Sequence, residues 1–202
     1  MASTAAPYGA RPIGTLSASG SFTSKTRLLE IASAYGTAIF NGDFVKLVAD
    51  GTVEKDTGDA ALTTCGIFLG CQYTDPGSGQ LTFSTQWPAG TVASDAKAFV
   101  LDDPNVLMQM QADGPLALTT RGLNAAVVQT AGSTTIGKSK VAVDSGTANA
   151  PAATNTFPLR IIDFVDGPDS AIGDDFTDVI VKFNAASDGA TSNHQYLNAT
   201  GA

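Results

Sequence analysis

Residues Cys65–Thr74 read CGIFLGCQYT. The turn Asp75-Pro76-Gly77-Ser78-Gly79 follows, and then LTFSTQWPAG over Leu81–Gly90. Short apolar runs bounded by Pro/Gly clusters read as strands joined by tight turns. The same pattern extends outward in both directions. Upstream, Asn41-Gly42-Asp43 is a turn ahead of FVKLVADGTV (Phe44–Val53), and Asp50-Gly51 inside that run is a second turn, of the two-residue hairpin kind. Downstream, KAFVLDD (Lys97–Asp103) and NVLMQMQAD (Asn105–Asp113) flank Asp102-Asp103-Pro104-Asn105. PLRIIDFVD (Pro158–Asp166) and DDFTDVIVKFN (Asp174–Asn184) read as a last hairpin around GPDSAIG. Turns recurring about every 8–15 residues are the mark of an antiparallel sandwich or small barrel.

The expected fold is therefore mainly β: an antiparallel β-sandwich or small β-barrel with at most one or two short helices and extended terminal arms. Residues 1–24, poor in large apolar groups, read as an N-terminal arm. Residues 25–184 form the β domain, and residues 185–202 a polar C-terminal tail. Lys25–Phe40 fits both periods, and no capping box brackets it, so it reads as strand. Thr120–Thr130, TRGLNAAVVQT, is the best helix candidate, and Thr147–Thr156 reads as a loop. The expected core is Phe44, Val45, Leu47, Ile67, Phe68, Leu69, Phe83, Phe99, Val100, Ile161, Phe164, Ile180 and Phe183.

Composition agrees and narrows the function. The 202 residues include 21 Gly, only 15% are charged, and just two are Glu (Glu30, Glu54). Helix-favouring charged residues are thus scarce, while 43% hydrophobic content is enough for a core. A net charge of −8 argues against a nucleic-acid partner, which needs a basic face. No apolar run approaches the ~18 residues of a membrane span. The opening MASTAAPYGARP has no apolar segment of the signal-peptide kind, so folding in a cytoplasm is expected. Cys65 and Cys71 would lie about 20 Å apart on one strand. A disulfide needs Cα atoms within roughly 7 Å, so two buried free thiols are expected unless the chain turns sharply at Gly66 or Gly70.

Several motifs carry chemistry on paper. Gly132–Ser139, GSTTIGKS, matches the nucleotide P-loop pattern letter for letter. That loop works only between a buried strand and a helix. Here KVAVDSGTANAP follows, with β-branched alternation and no helical period, so a turn is expected. The acids Asp163, Asp166, Asp169, Asp174, Asp175 and Asp178 lack the calcium-loop spacing and read as solvated turn residues. Asp102-Asp103 has no visible partner for acid–base work. The single His194 lies in the tail with no GxSxG elbow to serve. No catalytic residue, cofactor or metal is expected. Trp87, before Pro88, reads as a core or interface aromatic.

The order of these pieces resembles the capsid cement, or head decoration, proteins of tailed double-stranded DNA bacteriophages. The resemblance runs from PYGARPIG (Pro7–Gly14) through AIFNGDFVKL, CGIFLGCQY, WPAGT, DDPNVLMQMQAD, GLNAAVV and GSTTIGKS. It continues in PLRIIDFVDGPDSAIGDD and ends in NHQYLNATG (Asn193–Gly201). It implies a non-enzymatic virion protein, made in the host cytoplasm, that sits on the capsid exterior and clamps neighbouring major capsid subunits. Self-association as a homotrimer, or second a homodimer, is expected, with no nucleic acid and no membrane involved. The expected contact residues are Tyr8, Arg11, Pro12, Trp87, His194, Tyr196 and Leu197. A tail or baseplate protein is the rival structural role, and a nucleotide hydrolase using Gly132–Ser139 is the rival from another class.

Overall fold

The computed structural model describes residues 4–16, 25–184 and 193–197. The remainder of the two segments read as arm and tail lies outside the described residues. Two antiparallel sheets dominate, and the chain is mainly β as expected. The first sheet runs in the order β1 (Arg11–Thr15), β10 (Val106–Gln111), β15 (Asp178–Phe183), β14 (Leu159–Phe164), β11 (Asn124–Ala125). The second runs β2 (Arg27–Glu30), β9 (Lys97–Leu101), β6 (Gly66–Thr74), β4 (Phe44–Leu47), β5 (Val53–Lys55), with β7 (Leu81–Ser84) also on β6. Two ribbons complete it: β3 (Ile39–Phe40) with β8 (Gln86–Trp87), and β12 (Val127–Val128) with β13 (Ala142–Val143). No barrel closes.

The turn residues act where they were read. Gly51 and Gly79 have φ of +84° and +67°, a region glycine enters without steric cost. They close the β4–β5 and β6–β7 hairpins. Asp102–Asn105 does something different. It carries the chain from β9 in one sheet to β10 in the other, which is how a sandwich turns a corner.

Alternation along β6 explains the layering. Ile67 joins Phe44 and Leu101 in a core cluster shared with the first sheet, including Met108, Ile161, Val181 and Phe183. The next residue, Phe68, points the other way, into a second cluster with Val45, Val100 and Trp87. One face of the second sheet thus packs on the first sheet, and its other face is closed by the ribbon that carries Trp87. Both cysteines sit in that second cluster as free thiols. Burial pushes both of their pKa values up to about 12, which keeps them protonated and unreactive.

Some expectations require correction. Thr120–Thr130 is not a helix. Its backbone groups bond across the domain: Gly122 N donates to Ile161 O (2.9 Å), Asn124 pairs with Arg160, and Val127 pairs with Val143. The only helical pieces among the described residues are single 3-10 turns at Leu118–Thr120 and Gln195–Leu197. Of the expected core, Phe83 is 67% exposed, and Leu47, Leu69, Phe99 and Ile180 are half-buried. The rest of that set is buried.

Candidate interaction surfaces

The residues singled out in the sequence fall into three places. The first is at the N-terminal segment. Within residues 1–24, β1 pairs with β10 as an edge strand, Arg11 opposite Gln109. Ahead of it the chain is pinned twice by one side chain: Ala6 N donates to Gln111 Oε1 (2.7 Å), and Gln111 Nε2 donates to Thr4 O (3.1 Å). Between these anchors Tyr8-Gly9-Ala10 crosses the Gly42 turn, and Ala10 N donates to Gly42 O (2.9 Å). Gly9, at φ +77°, would place a Cβ 2.5 Å from Ser139 Cβ, so only glycine permits this crossing. Tyr8, Arg11 and Pro12 thereby come together around one recess, with Asn41 and Lys138 on its far wall. The Tyr8 hydroxyl is pushed above its ordinary pKa by burial and by the neighbouring Asp178 carboxylate.

The second place is the tail. His194 is wholly buried, its ring edge-on to Phe183 at 5.0 Å between centroids. Desolvation lowers its pKa to about 4, so it is neutral at pH 7. Its neighbours Tyr196 and Leu197 are 42% and 46% exposed. Arg27 lies over the Tyr196 ring (5.4 Å) and pairs with Asp102 (2.6 Å). The third place is interior. Trp87 is fully buried, packed edge-on against Tyr73 at 5.5 Å, and its Nε1 donates to Tyr35 O (3.2 Å). Trp87 and His194 therefore support the surface from beneath and present no atoms to a partner.

Gly132–Ser139 is a closed turn. Ser133 N donates to Lys138 O, Gly137 N to Ser133 O and Ser139 N to Asn41 O, each at 2.9 Å. Those amides are spent on carbonyls, and the chain continues into β13, not a helix. A phosphate cradle of the P-loop kind sits at a helix N-terminus, and here the next element is a strand. Three of the six acids hold structural partners. Asp163 pairs with Arg121 (2.5 Å), Asp174 Oδ2 accepts from Ala171 N (3.0 Å), and Asp178 Oδ2 accepts from Gln109 Nε2 (3.0 Å). Asp103 Oδ1 accepts from Asn105 N (2.9 Å) and shapes its turn. Among the described residues, no group of three or more His, Cys, Asp or Glu is placed to hold a metal ion. No helix among them is long and apolar enough to cross a membrane.

One surface was not anticipated. Leu28 stands opposite Phe99, and Leu81 and Phe83 share a face by the two-residue period of β7. Phe83 and Phe99 lie on strands either side of β6 and stack at 6.4 Å between centroids, 19° from parallel. On β6, Gly70 stands opposite Phe99 and Gln72 opposite Phe83, so the two rings meet diagonally across that strand. This is the same face that carries Ile67 and Leu101. At one end it is buried under the first sheet. At the other it emerges as a platform of Leu28 (50% exposed), Leu81 (56%), Phe83 (67%) and half-buried Phe99. The alternation in LTFS was legible, but which side of β7 would lack a covering layer was not.

No protein-family profile, curated protein or solved structure matches the chain.

Proposed function

We propose that this chain is a non-enzymatic structural protein of a tailed bacteriophage virion. It binds the outside of the capsid shell, clamps neighbouring major capsid subunits and so stabilises the head. The observation that carries the reading is the Leu28–Leu81–Phe83–Phe99 platform. Clustered apolar side chains at a rigid sheet surface are costly to leave in water and mark sites of association. The order of sequence motifs described above supports a major capsid protein as the partner. Self-association as a trimer, or second a dimer, suits the closed symmetry of a shell. An acidic exterior keeps the protein soluble before it docks.

Binding selective for the assembled shell raises that shell's stability by mass action. Particles of the encoding phage made without this protein are expected to assemble but to rupture at lower temperature and under milder osmotic shock. Adding the purified protein restores them, and electron microscopy finds it on the outer surface. Equal robustness with and without it overturns the reading and moves a tail or baseplate role ahead.

A further inference from the structure

Eleven residues of this chain are Lys or Arg. Three of them, Arg11, Lys138 and Lys140, line two recesses of about 420 and 410 Å³ that share Tyr8 and Lys138 as a common wall. All three are exposed, and none forms an ion pair among the described residues. The carboxylate beside the recess is Asp178, which lies against Tyr8 and accepts from Gln109. Asp43, nearby in sequence, is fully buried and paired with Lys55 (2.9 Å). A chain of net charge −8 therefore holds a local excess of positive charge here, on a floor of Pro7, Ile136 and the Tyr8 ring.

The geometry points to a docking groove for an acidic peptide segment of a partner protein. One or two Asp or Glu side chains would reach Arg11 and the two lysines, with their aliphatic stems against Ile136 and Tyr8. Arg11 offers a planar fork suited to a carboxylate, and the lysines offer point charges. A nucleic acid fits less well. Its long row of phosphates would meet the acidic remainder of the surface of a chain whose net charge is −8. The groove exists only while Gly9 lets the N-terminal segment lie against Ser139, so it forms with the segment that completes it. The inference rests on the binding role proposed above, but does not require the partner to be a capsid.

The test has two arms. In solution, amide chemical shifts of the full chain are followed while a blocked heptapeptide of alternating glutamate and alanine is added. Saturable shifts at Ala10, Gly137 and Lys138 are expected at low salt, fading as salt shortens the Debye length below about 10 Å. The matching glutamine peptide should give none. Lys138→Glu with Lys140→Glu, both at exposed positions, should weaken binding about tenfold or more, while Lys138→Arg keeps it. In the second arm, the same charge-reversed variant is tested for retention on phage particles lacking the protein. Wild type that attaches, with the variant attaching equally well, overturns the groove and leaves the capsid reading standing. Wild type that binds the peptide but not particles does the reverse. The groove is also overturned by equal binding of the glutamine peptide, by tighter binding of a short oligonucleotide, or by a change of oligomeric state in the variant, which would make a second copy the occupant.

Discussion

Gln195 serves as a strand partner for Leu47, 148 residues away: its Oε1 accepts from Leu47 N (2.7 Å) and its Nε2 donates to Leu47 O (3.0 Å). β6 pairs with β4 only as far as Gly66 opposite Val45, so the next backbone groups of β4 would go unmet. The tail supplies them. Thr64 N donates to Asn193 O (3.0 Å) and Gln195 N donates to Thr64 O (2.8 Å), which sets the side chain in register. Residues 193–197 are thus stitched into the second sheet by backbone and side chain together.

Gln195→Ala removes both bonds and leaves the Leu47 amide and carbonyl in a half-buried site. The expected loss is about 2 kcal/mol of unfolding free energy, read from urea denaturation. A change within experimental error would show that water replaces the side chain at no cost.

His194 makes stability depend on pH. Its pKa in the folded chain, about 4, lies below the ordinary 6.5. Its contribution is then fully present above pH ~6.5 and is lost as pH falls through the folded value. Between pH 7 and pH 4 this amounts to about 3 kcal/mol. His194→Phe removes the titrating group, so between pH 7 and pH 4 the wild type should lose about 3 kcal/mol more than the variant, read from urea denaturation at each pH. Parallel stability curves would show that the ring titrates alike in the folded and the unfolded chain.

Two phenylalanines separate packing from association. Phe183 is buried between Phe44 and His194, and Phe183→Ala should cost about 3–5 kcal/mol. Phe83→Ala loses one exposed stack, worth about 0.5–1.5 kcal/mol, yet should impair attachment to particles severely. Full attachment by Phe83→Ala would remove the platform from the proposed contact.

Gly9→Ala tests the crossing of the N-terminal segment. The substitution forces a left-handed residue at about 1–2 kcal/mol and drives a Cβ into Ser139 and the Gly42 carbonyl. Hydrogen exchange at Ala10, whose amide bonds to Gly42, should rise sharply, while β14 and β15 keep their protection. Unchanged exchange at Ala10 would show that the crossing tolerates a side chain.

Lys55→Met leaves the buried Asp43 carboxylate with the Phe40 backbone amide as the one donor to its side chain among the described residues. A loss of about 3–5 kcal/mol is expected, because an uncompensated charge remains inside. The double variant Asp43→Asn with Lys55→Met should recover most of it. If both variants are equally destabilised, the loss comes from packing and not from charge.

The sequence by itself determined where strands end and turns begin. Asp50-Gly51 and Asp75–Gly79 close their hairpins because turn chemistry is local: Asp50 Oδ1 accepts from Thr52 N (2.9 Å), and Asp75 Oδ1 from Gly77 N (3.0 Å), two residues on in each case. The mainly β class, the strand over Gly66–Thr74 and the turn within Gly132–Ser139 were legible for the same reason. What only the tertiary structure decided is which side of each strand is covered, because burial depends on partners far along the chain. Phe83 and Phe183 look alike in sequence, yet Phe83 is 67% exposed while Phe183, on the first sheet, is buried against Phe44 of the second. Thr120–Thr130 has adequate helix formers, but Asn124 and Val127 bond to strands that arrive much later. The meeting of Arg11 with Lys138 and Lys140 could not be read from sequence either. It depends on a glycine in the N-terminal segment fitting against a serine 130 positions on, a match of shape that no local pattern encodes.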